Sequence, residues 1–128
     1  MNILGIDFGT KNIGTAWMQT GINVVLPYGL ITGADNDSKI KKLAELIKKE
    51  NIDKLVIGLP IGLDGKENKN TERIREFAGI LKDKTKISVE FINESFSSHA
   101  ADRMEGGASR DEKSAMVILQ SYLDRKKS

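Results

Sequence analysis

Residues 2–18 read NILGIDFGTKNIGTAWM, and their pattern decides the fold. The run 2–8 is apolar almost throughout and stops at Gly9, as expected of a strand buried on both faces. Gly9-Thr10-Lys11-Asn12 is turn chemistry, and Ile13 to Met18 reads as a second strand, so the two form a hairpin. One acid, Asp7, stands inside the first run, where an uncompensated charge is costly. An Asp at a strand end followed closely by Gly sits where backbone amides and a phosphate can approach. The plainer alternative is a turn Asp that caps the hairpin.

Outward from this hairpin, Ile22 to Ile31 is apolar and β-branched enough for a third strand, interrupted at Pro27, which suits an edge or a bend. Ser38 starts a helix in which Ile40, Leu43, Leu46 and Ile47 recur at helical spacing, with lysines opposite. Lys54 to Gly58 (KLVIG) is a compact buried strand ended by Leu59-Pro60. A polar loop over 61–70, carrying Gly62 and Gly65, precedes a helix over 71–82 with Ile74, Phe77, Ala78 and Leu81 as its stripe. Residues 87–92 (ISVEFI) alternate as a fifth strand. A short helix and the Gly106-Gly107 break then lead to a last helix reaching about Leu123. Ser109 and Glu112 form its capping box, and Ala115, Ile118, Leu119, Tyr122 and Leu123 its apolar face. Antiparallel strands come first and strand–helix alternation follows. This order predicts an α/β fold, a mixed five-stranded sheet with its first three strands antiparallel and helices packed on it. Without repeat, linker or low-complexity segment, residues 1–128 read as one domain.

With 128 residues, 39% of them hydrophobic and 30% charged, the chain has the balance of a soluble globular domain with a single core. It contains no Cys, which excludes disulfides, thiolate metal sites and Cys nucleophiles. Its one histidine, His99, excludes a His-rich zinc site, so any metal must be held by Asp and Glu oxygens. The net charge of +2 identifies no partner by itself. Lys39, Lys41, Lys42, Lys48 and Lys49, and the tail Arg125, Lys126 and Lys127, read first as a solvated helix face and a soluble tail, and second as a phosphate-tracking surface. No segment approaches the roughly 18 apolar residues of a membrane span. Met1-Asn2-Ile3-Leu4-Gly5 is no secretory signal, so a cytoplasmic location is expected.

Three acids stand at element ends: Asp7, Glu94 after the fifth strand, and Asp111 opening the last helix. Carboxylates that converge from separate elements hold Mg²⁺ or Mn²⁺, and such sites hydrolyse phosphodiesters. Each acid also has a plain explanation. Strand-end acids are solvated, and acids in the first turn of a helix are favoured by its dipole. Periodicity does not choose between Asp111 and Glu112, but Glu112 is engaged by the capping box, which leaves Asp111 for a metal. Arg73 and Arg75, early in their helix, suit either phosphate contacts or ion pairs with Glu72 and Glu76.

The stretches GIDFGTKNIGTA (5–16), VIGLPIGLDG (56–65), ERIREFAGIL (72–81) and DEKSAMVILQSYLD (111–124) resemble the RuvX/YqgF family, in its order and over nearly the whole chain. The resemblance implies a ribonuclease H-like fold. It further implies a bacterial nuclease, described either as trimming the 5′ end of the 16S rRNA precursor in ribosome biogenesis or as a Holliday junction resolvase acting on four-way DNA. The family's acidic residues map onto Asp7, Glu94 and Asp111, with Mg²⁺ or Mn²⁺ as cofactor. Asp7 would bridge the metals, and Thr10 and Lys11 would orient a phosphate. The expected partners are nucleic acid, as pre-rRNA or branched DNA, and a ribosome precursor, with no membrane. Trimming an RNA end needs only a monomer, whereas junction resolution wants a symmetric dimer.

Where the family shows an Asp-Glu-Arg stretch followed by hydroxyl residues, this chain has Asn93-Glu94-Ser95-Phe96-Ser97-Ser98. The missing Arg is a missing bidentate phosphate donor, which leaves Arg73, Arg75 or Arg110 to supply that contact. Two rival readings follow. Asp7-Phe8-Gly9-Thr10 resembles the phosphate turn of sugar kinases and actin-like ATPases, but those proteins bind nucleotide between two lobes and are much longer. The altered stretch at 93–95 also suits an RNA- or ribosome-binding module with weakened catalysis.

Overall fold

In chain order the elements are β1 (Asn2–Phe8), β2 (Ile13–Gln19), β3 (Leu26–Ile31), α1 (Asn36–Lys49), β4 (Lys54–Pro60), α2 (Lys69–Thr85), β5 (Ser88–Glu94) and α3 (Arg110–Lys127). The structure, a computed structural model, describes residues 1–8, 12–22, 24–60, 69–94 and 110–127. The five strands form one sheet in the order β3-β2-β1-β4-β5. β2 runs antiparallel to β1 and β3, whereas β4 is parallel to both β1 and β5. This is the mixed sheet that the element order predicts. Antiparallel neighbours follow one another closely in the chain, and the parallel pair β4 and β5 is joined through α2.

Alternation along β1 divides the core in two. Leu4, Ile6 and Phe8 pack with Ile40, Leu43, Ile74 and Phe77 of α1 and α2. Ile3 joins Ile118, Leu119, Tyr122 and Leu123 of α3 on the opposite face. A strand covered by helices on both sides has no solvent face, which is why the run 2–8 shows no polar alternation. Gly5 lies on the α3 face. A Cβ there would stand 2.5 Å from Leu119 Cγ and 3.1 Å from the Ala115 carbonyl oxygen, so glycine sets how closely α3 can seat. On the other face, the rings of Phe8 and Phe77 are 4.3 Å apart at their centroids and fasten α2 to the end of β1.

The turn from α1 into β4 is tied to the start of β1. Asp53 Oδ2 accepts the Asn2 N–H at 2.8 Å, and the Asn2 carbonyl accepts the Asp53 N–H at 2.8 Å. The Asn2 side-chain amide donates to the carbonyls of Glu50 and Asn51 at 3.3 and 3.2 Å. Asn51 takes φ of +53°, a conformation that Asn tolerates better than most residues. This clamp holds β4 in register with β1.

Several boundaries differ from the sequence expectation. β3 begins at Leu26 rather than Ile22, and Ile22 and Val24 are exposed. Pro27 and a register shift between Thr15 and Ala16 interrupt this edge pairing. Buried Thr15 donates its hydroxyl to the Gly29 carbonyl at 2.7 Å beside the irregularity. α1 begins at Asn36, because Asp35 is the cap and its Oδ1 accepts the Ser38 N–H at 2.8 Å. β4 continues to Pro60, α2 spans Lys69–Thr85, β5 runs to Glu94 and α3 to Lys127. Pairing and packing carry these elements past the end of their apolar patterns. The loop 61–68, the short helix after β5, the Gly106-Gly107 break and Ser109 of the capping box lie outside the described residues. Among the described residues no helix is long and apolar enough to cross a membrane.

Candidate active site

Three parallel strands bring their C-terminal ends to one edge of the sheet. Ile6 is paired with Ile57, and Ile57 with Phe91, so Asp7, Gly58 and Ile92 stand level across β1, β4 and β5. On its other side Asp7 is paired with Gly14 of β2. β4 and β5 end together at the pair Pro60 and Glu94. In open α/β sheets, ligands bind outside these carboxyl ends.

The three acidic positions also share a face. Asp7 lies two residues beyond Gly5 and therefore on the side covered by α3, about 7 Å along the strand. Asp111 lies one helical turn before Ala115, about 6 Å along the helix axis. Leu119 and Ala115 are the α3 residues nearest to where a Gly5 Cβ would stand, and Ile3 packs with the later turn at Tyr122 and Leu123, so the first turn of α3 lies toward the end of β1. Glu94 lies two residues beyond Ile92, which packs under α3, and the strand alternation places position 94 on the same face. Two strand spacings and two residue steps separate the main chains at 7 and 94, about 12 Å. Asp7 is half-buried and engaged with surrounding protein. The side chains of Glu94, Arg110 and Asp111, and the whole of Thr10 and Lys11, lie outside the described residues. Among the described residues no three acidic or histidine side chains gather to hold a metal.

The α2 arginines stand elsewhere. Arg73 and Arg75 belong to the helix that packs on the face opposite Asp7, through Ile74 and Phe77. The Arg75 guanidinium carbon lies 5.1 Å from the ring centroid of Phe91 on β5. Arg73 is half-buried and engaged with other protein groups. Neither shares the Asp7 face, although Arg75 reaches the outer strand β5.

Two polar groupings escaped the sequence reading. Lys54 Nζ donates to the Tyr122 hydroxyl at 3.2 Å, lies 3.5 Å from Glu90 Oε1 and sits 5.0 Å from the Tyr122 ring centroid. Burial pulls the ammonium pKa down, but the Tyr122 hydrogen bond and the Glu90 charge outweigh it and hold the pKa above its ordinary value. This group braces β4, β5 and α3 against one another. The second grouping is a pocket of about 490 Å³ lined by Phe91, Ile92, Asn93, Ser121 and Arg125. Ser121 and Arg125 are one turn apart on α3, a spacing hidden when the helix is ended at Leu123 and Arg125 is read as tail. A larger cavity of about 760 Å³, lined by Lys41, Lys48, Ile52, Asp53 and Lys84 among others, lies by the turn from α1 into β4, at the opposite end of the sheet from Asp7.

The architecture is similar to that of solved structures. Thermus thermophilus RuvC superposes with a TM-score of 0.65 at 8% identity, over 99% of this chain and 97% of that one. The fowlpox virus Holliday junction resolvase superposes with a TM-score of 0.63 at 14% identity, over 98% and 99%. The fold is therefore ribonuclease H-like. Residues 1–125 match the family described as RuvX, Holliday junction resolvase, and the chain belongs to that family. Two similar relatives carry the name "Putative pre-16S rRNA nuclease". One, from Bacillus subtilis, is 34% identical over 97% of this chain and 98% of its own length. The other, from Maridesulfovibrio salexigens, is 32% identical over 98% and 99%.

Proposed function

We propose that this protein is a divalent-metal-dependent nuclease that processes the 5′ end of the 16S rRNA precursor, acting as a cytoplasmic monomer of one domain. The observation that supports the reading is that the strand register puts positions 7 and 94 at the same end of the sheet, on the face that α3 covers. Membership of the RuvX family and the names of its relatives support the substrate class. Asp7, Glu94 and Asp111 would hold Mg²⁺ or Mn²⁺, and hard oxygen donors suit those ions in a chain with no Cys and one His. When bound, the metal would supply an activated water and charge stabilisation for the leaving oxygen. The protein's own contribution is placement. The first turn of α3, where Asp111 lies, is where a helix dipole favours an acid, and the β1–α3 contact at Gly5 would set the spacing between positions 7 and 111. Thr10 and Lys11, which follow β1 in the chain, would orient the phosphate, and Arg110, with Arg75 beside the outer strand β5, would add positive charge near the substrate, whereas Arg73 stands on the opposite face.

A second reading, resolution of four-way DNA junctions, is favoured by the fold shared with two resolvases and by the family's description. It requires two sites presented by a symmetric dimer. The test is to incubate the purified protein with labelled 5′-extended 16S rRNA precursor and, separately, with a four-way DNA junction, each with Mg²⁺, Mn²⁺ or EDTA. Metal-dependent cutting of the RNA alone is the expected result. Preferential cutting of the junction would favour the second reading. RNA binding without cutting under any metal would replace both with a catalytically weakened binding module.

A further inference from the structure

We infer that the outer edge of β5 is a phosphodiester-binding track leading into the candidate active site, with Arg125 and Arg75 as its anchors. The inference rests on the nuclease reading and adds the path of the bound strand. β5 is the last strand of the sheet and pairs only with β4, so among the described residues its other edge is open. Helices on opposite faces of the sheet each bring a guanidinium to that edge. From α2, the guanidinium carbon of exposed Arg75 lies 5.1 Å from the Phe91 ring centroid, a cation–π contact that holds the charge beside β5. From α3, exposed Arg125 lines the 490 Å³ pocket together with Ser121, Asn93, Ile92 and the same Phe91. Two cations thus flank a single strand residue. Asn93, also in the pocket, immediately precedes Glu94 of the proposed metal site.

The lining chemistry selects the ligand. A guanidinium fork, a hydroxyl and a carboxamide offer donors to an anion with several acceptor oxygens, and Arg matches phosphate with paired hydrogen bonds. Among the described residues no carboxylate lines this pocket. In the larger cavity beside α1 and α2, Lys41, Lys48 and Lys84 are interleaved with Asp37, Glu45 and Asp53, which cancels the attraction for a polyanion. The β5 edge is therefore the better phosphate surface, although the α1 lysines are the more conspicuous basic feature of the sequence.

The test uses fluorescence anisotropy with a labelled single-stranded RNA from the 5′ region of the 16S precursor, in EDTA so that no cutting occurs, across a salt series. R125A and R75A should each weaken binding about three- to tenfold and lower the slope of log K against log salt by about 0.7, one phosphate contact on a single strand. R125K should keep the slope and lose part of the affinity, because a point charge replaces the fork. With Mg²⁺ present, R125A should raise KM and leave kcat unchanged. The double variant K41A/K48A should leave affinity and slope as in the wild type. Melting temperatures are compared throughout, and if R75A disturbs packing on Phe91, R125A alone decides. Wild-type protein that binds and cuts, with R125A unchanged in affinity and slope, overturns the track while the nuclease reading stands. Wild-type protein that neither binds nor cuts overturns both.

Discussion

Gly5 is the point at which a single methyl group should be felt in both stability and activity. In Gly5→Ala the new Cβ would lie 2.5 Å from Leu119 Cγ, 3.1 Å from Leu119 Cδ1 and 3.1 Å from the Ala115 carbonyl oxygen. Ordinary carbon contacts begin about 1 Å further out than the shortest of these. Leu119 is fully buried and cannot swing into solvent, so α3 must lift. Overpacking of this kind costs about 1–3 kcal/mol, which for a chain of this size lowers Tm by about 4–11 °C. The same lift moves the first turn of α3 away from Asp7, and misplacement of about 1 Å can cost up to a hundredfold in rate. Leu119→Ala alone should cost about 2–5 kcal/mol as a cavity. In the double variant the methyl added at position 5 occupies part of that cavity, so the two costs should fall short of their sum by about 1 kcal/mol or more. Urea denaturation of the four proteins in the cycle measures this. Strict additivity, or a Gly5→Ala protein as stable as the wild type, would refute the claim that α3 rests on Gly5.

Other consequences are open to direct measurement. Phe77→Ala, which removes the ring packed 4.3 Å from Phe8 at the end of β1, should cost about 3–5 kcal/mol by chemical denaturation. Asp35 is held below the usual carboxylate range, first by the Ser38 backbone N–H, so its cap contributes fully above the ordinary carboxylate pKa and fades as pH falls through the lowered value. Asp35→Ala should therefore destabilise the protein at neutral pH, and the difference from wild type should shrink in acid. For Lys54 the sign is opposite. Its pKa is raised, so its contribution is complete below the ordinary lysine value and is lost as pH rises through the higher one. Stability curves of wild type and Lys54→Met should converge above pH about 10.5.

The hairpin and the last helix were legible because their patterns are local. A central strand has no solvent face, so β1 appears as a continuous apolar run, and α3 carries its stripe over several turns. The reason for Gly5 was not legible, because the atom that excludes a side chain there belongs to Leu119, at the far end of the chain. Asp35 and Ser38 are both good caps, and only the path of the backbone into α1 chooses between them. Ile22 and Val24 read as strand because they are apolar, yet they are exposed beyond the end of the ladder. The acids at 7, 94 and 111 were visible as element-end residues. Their common face depends on β5 standing two strands from β1 and on α3 crossing at Gly5, and neither is encoded in local spacing. Arg75 shows the same limit. Periodicity gives its helix an apolar face but does not say which side of the sheet that face covers, so its distance from the Asp7 side emerged only from the topology.

The central claim is that Asp7, Glu94 and Asp111 act as one metal-dependent unit. Single-turnover cleavage of the 16S precursor in Mg²⁺ by Asp7→Asn, Glu94→Gln, Asp111→Asn and the triple variant, with melting curves alongside, tests it most directly. The account predicts that each single variant stays folded and loses at least about a hundredfold in rate, and that the triple variant is scarcely worse than any single one. A folded variant at any of the three positions that cuts at the wild-type rate would contradict it.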